Sequence, residues 1–149
     1  WLVGSMKGGP QPLLASMKQA SAILPGFVHD LGSVLRPYDI HIIPWEHNTG
    51  ARTKIPTALN HSQVVVATKA GVTSMPELKD GENCVLVSDL QQMARAILEL
   101  LADESRRKRI GQAGRMTFME HFTREAVQPR FDQFISELRP GEPEFTHTN

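Results

Sequence analysis

The residues best placed to do chemistry lie between Pro44 and Thr68, in PWEHNTGARTKIPTALNHSQVVVAT. Here an apolar, strand-like run passes through a glycine-containing turn into a helix and then to a second strand. A helix entered in this way directs unpaired backbone N–H groups beyond the sheet, and these, with the positive end of the helix dipole, favour an anion. Arg52 and Lys54 are predicted to fall within the first turn, where they oppose the dipole unless a negative ligand or an acidic neighbour offsets them. The stretch points to phosphate recognition, with two solvated surface cations as the alternative reading.

Other chemistry is weaker. Gly4, Gly8 and Gly9 could admit a phosphate close to the backbone, yet their spacing is not the dinucleotide fingerprint, and a turn ended by Pro10 and Pro12 explains them equally. His29, His41, His47, His61, His121 and His147 are scattered without the i, i+4 spacing of a helical metal motif, so no metal site is expected. Glu46 and His47 could serve as an acid and base at the mouth of a sheet, but a loop histidine is more often a surface residue. No Gly-x-Ser-x-Gly elbow occurs, and Cys84 opens an apolar strand as an inert core residue. The basic run Arg106 to Arg109 lacks aromatic stacking partners and reads as a solvated helix face rather than a nucleic-acid grip.

Composition narrows the classes. The 149 residues, 40% hydrophobic and 21% charged, suit an ordinary folded domain with a real core. Sixteen basic and sixteen acidic residues cancel, which argues against unspecific attraction to nucleic acid or an anionic membrane and makes any anion site local. A single cysteine excludes an internal disulfide and fits a reducing, cytoplasmic setting. No apolar run approaches the roughly 20 residues of a membrane-spanning helix. The chain opens on Trp1 with a strand-like WLVG, which suggests a piece of a longer protein.

The elements that must position these residues alternate. Apolar runs rich in β-branched residues predict strands at Trp1 to Val3, Ala22 to Val28, Ile40 to Pro44, Val64 to Ala67 and Cys84 to Val87. Ile40, Ile42 and Ile43, like Val64, Val65 and Val66, form continuous runs suited to strands covered on both faces. Strand and helix in succession predict an α/β fold, a Rossmann-like open parallel sheet with helices on both faces, closed by carboxyl-terminal helices. Leu90, Met93, Ala94, Ile97, Leu100 and Leu101 mark one helix, with Ser88 and Gln91 as its expected capping box. A second is predicted over Glu104 to His121. A third begins at Thr123, carries Val127, Phe131, Phe134 and Leu138, and is expected to kink or restart at Pro129. The domain is expected over residues 1–139, with 140–149 a loose tail. Ligands of such sheets bind beyond the carboxyl ends of the strands, here the loops Gly4 to Pro10, Val28 to Gly32, Trp45 to Gly50 and Thr68 to Glu77.

Three stretches together resemble the carboxyl-terminal, donor-binding domain of GT-B glycosyltransferases, especially the retaining group known as family four or group 1. PGFVHDLGSVLRPYDIHIIP resembles the segment in which Gly-Phe-Val ends a strand, a short helix follows, and an Asp precedes the next strand. TGARTKIPTALNHSQVVVAT resembles Gly-x-Gly-x-Arg-x-Lys-Ile-x-Glu-Ala followed by Gly-x-Pro-Val-Val-x-Thr. KAGVTSMPELKDGENCVLVSDLQQMARAILELLADESRRKRIGQAGRMTFMEHFT resembles the glycine loop, the Asp-Gly turn and the closing helices ending in His-Phe. The resemblance implies transfer of a sugar from a nucleotide-diphosphate sugar, with no cofactor and no required metal, in a cleft completed by an acceptor-binding amino-terminal domain. By position it implies diphosphate contacts at Thr49, Gly50, Ala51, Arg52, Lys54 and Thr57, base contacts at Phe27 and Val28, and sugar contacts at Ala70, Gly71 and Val72. No catalytic residue is assigned.

The departures from that pattern matter equally. Thr49 and Thr57 stand where the family has glutamates, and the second of these normally accepts the ribose hydroxyls, for which a neutral hydroxyl is a poorer acceptor. Asn60 and Ser62 replace a small residue and a glycine, Val64 replaces a proline, and Pro56 is expected to kink or delay its helix. The family's Arg and Lys pair and the first strand have no counterpart, and that strand would lie centrally, between the WLVG strand and the one ending at Pro44. Two alternatives stay open: a catalytically silent GT-B-like binding domain and, more remotely, a GT-B sugar-nucleotide epimerase.

Overall fold

Val64–Thr68 is the centre of the fold, a strand in which every side chain is buried. The computed structural model describes residues 11–23, 25–47 and 53–138. In chain order the elements are α1 (Gln11–Gln19), β1 (Ile40–Ile43), α2 (Lys54–Asn60), β2 (Val64–Thr68), β3 (Val85–Val87), α3 (Leu90–Ala102), α4 (Glu104–His121) and α5 (Arg124–Leu138), with short 3-10 turns at Leu31–Ser33 and Ala70–Val72. The chain divides into two compact units, residues 1–34 and residues 35–149. The first contains α1 and the Leu31–Ser33 turn, which Asp30 caps by accepting the Gly32 N–H at 2.9 Å.

In the second unit the strands lie in the order β1-β2-β3, all parallel. Ile40 pairs with Val64 and Ile43 with Ala67, while Val66 pairs with Val85. Because side chains alternate along a strand, β2 supplies two cores at once. Val65 and Ala67 join Ile43, Ile55, Ala58 and Leu59 on one face, and Val64 and Val66 join Val85, Val87, Met93, Leu100 and Ile110 on the other. Each fully buried aliphatic side chain contributes on the order of 1.5–3 kcal/mol, so the run of valines explains why this strand is central. Helices therefore cover both faces, as the sequence predicts. Ile42 departs from it: at 46% exposed it lies on a strand with no partner on its outer side among the described residues.

Several local expectations are corrected. Ala22 to Val28 forms no continuous strand among its described residues: Gly26 makes a single β-bridge, and Pro25, which lacks a donor, with Gly26 at φ +75°, interrupts the run. The capping box of α3 is shifted by one residue: Asp89 accepts the Gln92 N–H at 2.8 Å, and the Gln92 side chain accepts the Ser88 N–H at 3.1 Å. On α3 the buried face carries Met93 and Leu100, whereas Leu90 and Leu101 are exposed. α5 runs unbroken through Pro129 and buries no side chain, so the carbonyl that loses its donor there is not trapped in a core. Pro56 is the third residue of α2, where its missing N–H would have had no partner within the helix, and the helix forms around it. Trp1 to Val3 and residues 140–149 lie outside the described residues.

α4 closes this unit. Asp103 ends α3 and caps α4, accepting the Arg106 N–H at 2.8 Å. The basic run is structural rather than merely solvated: Arg107 donates to the carbonyls of Leu100 and Leu101 at the end of α3, and Arg109 donates to Gly81 O at 3.2 Å. Lys108 pairs with Glu104 and Arg106 with Glu99. Cations thus meet the negative end of a helix, as the dipole favours.

Candidate functional site

The carboxyl ends of β1 and β2 meet at Thr68, which is 2% exposed. Its hydroxyl donates to the carbonyl of Trp45, just past β1, and accepts the Gly71 N–H at 3.1 Å. Gly71 is pressed against both partners: a Cβ there would stand 2.9 Å from Thr68 Oγ1 and 3.0 Å from the Trp45 carbonyl oxygen. The turn is stitched to the sheet by the Lys69 N–H, which donates to Val87 O at 2.8 Å, and is closed within itself by the Val72 N–H, which donates to Lys69 O at 3.3 Å. Gly71 and Val72 are buried and Ala70 is exposed, so the predicted sugar-bordering residues form one ordered turn beside the end of β1.

Lys54 is the first residue of α2, exposed, and without an ion-pair partner among the described residues. Ile55, fully buried, anchors the same turn in the core. Thr57 is half-buried and donates to Thr53 O at 2.9 Å. Thr49, Gly50, Ala51 and Arg52 lie outside the described residues. Phe27 and Val28 belong to the first unit, where Phe27 is 74% exposed and its ring meets His29 edge-on at 4.8 Å.

Other candidates resolve into structural roles. His41 Nδ1 lies 3.0 Å from Gln63 Oε1; burial lowers its pKa, the Gln63 bond opposes that, and the Lys54 charge adds to the lowering. Burial and the Asp80 charge push the Cys84 thiol up to about 12, so it is inert as a nucleophile. Glu46 and His47 are both exposed beyond β1. Among the described residues no three His, Cys, Asp or Glu side chains gather as a metal cluster, and no helix is long and apolar enough to cross a membrane. An open groove of about 650 Å³, lined in part by Glu77, Asn83, Met116 and Thr117, lies beside the amino end of β3, not at the carboxyl ends of the strands.

Parallel strands covered on both faces, with ordered turns converging at their carboxyl ends, define a Rossmann-like domain of the GT-B glycosyltransferase type. The chain belongs to the family described as glycosyl transferases, group 1, which it matches over residues 1–103. It is 36% identical over 61 residues to the lipopolysaccharide core biosynthesis glycosyltransferase LpsE of Rhizobium meliloti, covering 40% of this chain and 18% of LpsE. It is also similar to the crystal structure of the C-terminal domain of the group 1 glycosyl transferase LpcC from Francisella tularensis, with TM-score 0.62, 25% identity, and coverage of 76% of this chain and 62% of that one. Anabaena HepE in complex with UDP superposes with TM-score 0.77 at 19% identity, covering 92% of this chain and 40% of HepE; at that identity the likeness concerns the fold. The chain spans less than two thirds of the length of each of these relatives.

The fold also explains three departures from the family pattern. Asn60, Ser62 and Val64 lie at or before the amino end of β2, away from the loops at the carboxyl ends of the strands. Asn60 receives Arg115 of α4 through both its backbone and side-chain oxygens, and Val64 N–H donates to Asp39 O at 2.8 Å, a bond a proline would lack. Residues the sequence reading passed over include Thr68, Asn83 and Thr117. Asn83 donates to Thr117 Oγ1 and Glu77 O, both at 2.8 Å, tying the loop before β3 to α4. The Thr that closes the Val-Val-x-Thr pattern was the available signal for Thr68; scattered polar residues offered none for the other two.

Proposed function

We propose that this chain is the donor-binding part of a glycosyltransferase that moves a sugar, of the hexosyl type and with retention, from a nucleotide-diphosphate sugar to an acceptor in glycan or polysaccharide synthesis. The carrying observation is the link that Thr68 makes, at the carboxyl ends of β1 and β2, between the segment leaving β1 and the Ala70–Val72 turn. HepE, which shares the fold, has been crystallised with UDP and with UDP-glucose, which supports the nucleotide-sugar reading. As the bond from the sugar to the nucleoside diphosphate breaks, negative charge grows on the departing phosphate. N–H groups around Thr49, Gly50 and Ala51, with Arg52 and Lys54, would meet that charge in a site that excludes water. Phe27 and Val28 would face the base, and Ala70, Gly71 and Val72 the sugar. The reading needs no resident cofactor or metal. It places the reaction in the cytoplasm, with the acceptor held by an amino-terminal domain, and the chain acting only together with that domain.

One observation favours a second reading, a catalytically silent binding domain. Thr57 spends its hydroxyl proton on the Thr53 carbonyl, where the resemblance places a ribose-binding carboxylate. Calorimetry on the full chain with uridine and guanosine diphosphates separates the two. On the enzyme reading one nucleotide binds, Lys54→Ala weakens it about tenfold, and Thr57→Glu strengthens it. If neither nucleotide binds and Thr57→Glu creates no binding, the silent domain stands instead.

A further inference from the structure

We infer that Thr68 is a positioning residue, whose hydroxyl fixes the separation between the segment leaving β1 and the Ala70–Val72 turn. This rests on the donor-site reading above, in which the first segment leads to the diphosphate and the second borders the sugar. Thr68 is the single polar residue of a wholly buried strand, and it stands at the carboxyl end, where the ligand loops diverge. A valine would continue Val64, Val65 and Val66 without change of shape, so packing alone does not call for a hydroxyl.

The hydroxyl uses its proton and a lone pair on two different segments. Its O–H donates to the Trp45 carbonyl, and its oxygen accepts the Gly71 N–H at 3.1 Å. Each bond polarises the hydroxyl toward the other, so the pair acts as one link between the two loops. Gly71 belongs to the same device, because any Cβ would stand 2.9 Å from the hydroxyl and 3.0 Å from the Trp45 carbonyl oxygen. Removing the hydroxyl takes this partner from both the Trp45 carbonyl and the Gly71 N–H and loosens the spacing it sets between the two segments. The strand itself keeps its core contacts, so the expected consequence is a displaced loop rather than an unfolded domain.

The test uses the full chain with Thr68→Val, Thr68→Ser and Gly71→Ala, with circular dichroism confirming that each variant folds. Affinities for UDP, GDP and UDP-glucose are measured by calorimetry, and amide hydrogen exchange is followed at Gly71. In Thr68→Val, affinity for the nucleotide that binds the wild type should fall about tenfold, and exchange at Gly71 should accelerate. Thr68→Ser, which keeps the hydroxyl, should restore both, and Gly71→Ala should reproduce the loss of affinity. Wild-type affinity and unchanged exchange in a folded Thr68→Val would overturn the inference. If the wild type binds none of the three probes, the donor-site reading fails and takes with it any role for Thr68 in binding. Exchange at Gly71 then still decides the link itself: faster exchange in Thr68→Val supports it, and unchanged exchange overturns it.

Discussion

Gly111 of α4 lies so close to Ser62 that a Cβ would stand 2.4 Å from the Ser62 carbonyl oxygen. That same oxygen accepts the Tyr38 N–H at 2.9 Å, and the Tyr38 ring would meet the added Cβ at 3.0 Å. The neighbour is backbone and cannot rotate aside. Gly111→Ala should therefore destabilise the protein by about 1–3 kcal/mol despite alanine's better helix propensity. Urea denaturation reads this directly, and a midpoint at or above wild type would show that α4 can move away from the α2–β2 turn.

Ser62 itself adopts φ 56°, a left-handed conformation costing a residue with a Cβ about 1 kcal/mol. The family pattern has glycine here, and the backbone supplies the reason. Ser62→Gly should raise the melting temperature by about 2–4 °C, with nucleotide affinity unchanged because the residue lies at the amino end of β2. A lower melting temperature would mean that chain entropy gained by the unfolded state outweighs the relieved strain.

Arg107 receives the last carbonyls of α3, donating to Leu100 O and to Leu101 O, the latter at 2.9 Å. Arg107→Met keeps much of the aliphatic stem but removes the donors, and should cost about 1–2 kcal/mol in chemical denaturation. Arg107→Lys should recover part of that loss, since an ammonium lacks the planar fork that reaches two carbonyls. An unchanged midpoint for Arg107→Met would return this residue to the solvated face predicted from sequence.

His41 gives stability a pH dependence. Burial, opposed by the Gln63 bond and reinforced by Lys54, lowers its folded-state pKa from the ordinary 6.5. The unfolded chain then binds more protons than the folded one. This contribution is complete above 6.5 and is lost as pH falls through the lowered folded value. His41→Gln should flatten the decline in denaturation midpoint between neutral and mildly acidic pH. An equally steep decline in the variant would assign the effect to other groups.

Much of the fold was legible because it depends on local pattern. The valine run of β2, the β-branched run of β1 and the apolar spacing of α3 each reflect burial that repeats every two or every three to four residues. Misreadings arose where one residue overrides a run: Gly26 and Pro25 break the Ala22 to Val28 stretch, and Asp89 takes the cap assigned to Ser88. Leu90 and Leu101 have the right spacing yet remain exposed, because periodicity defines a face but not what covers it.

The sequence alone determined the parallel α/β class and the direction of its strands, since these follow from alternation and from the right-handedness of strand–helix–strand crossovers. Tertiary structure decided which polar groups meet across long separations: Thr68 with Trp45, Asn83 with Thr117, Arg115 with Asn60. Such pairs carry no periodic signal. Hydrogen bonds depend on positions held to a few tenths of an ångström, and only the packed chain sets those.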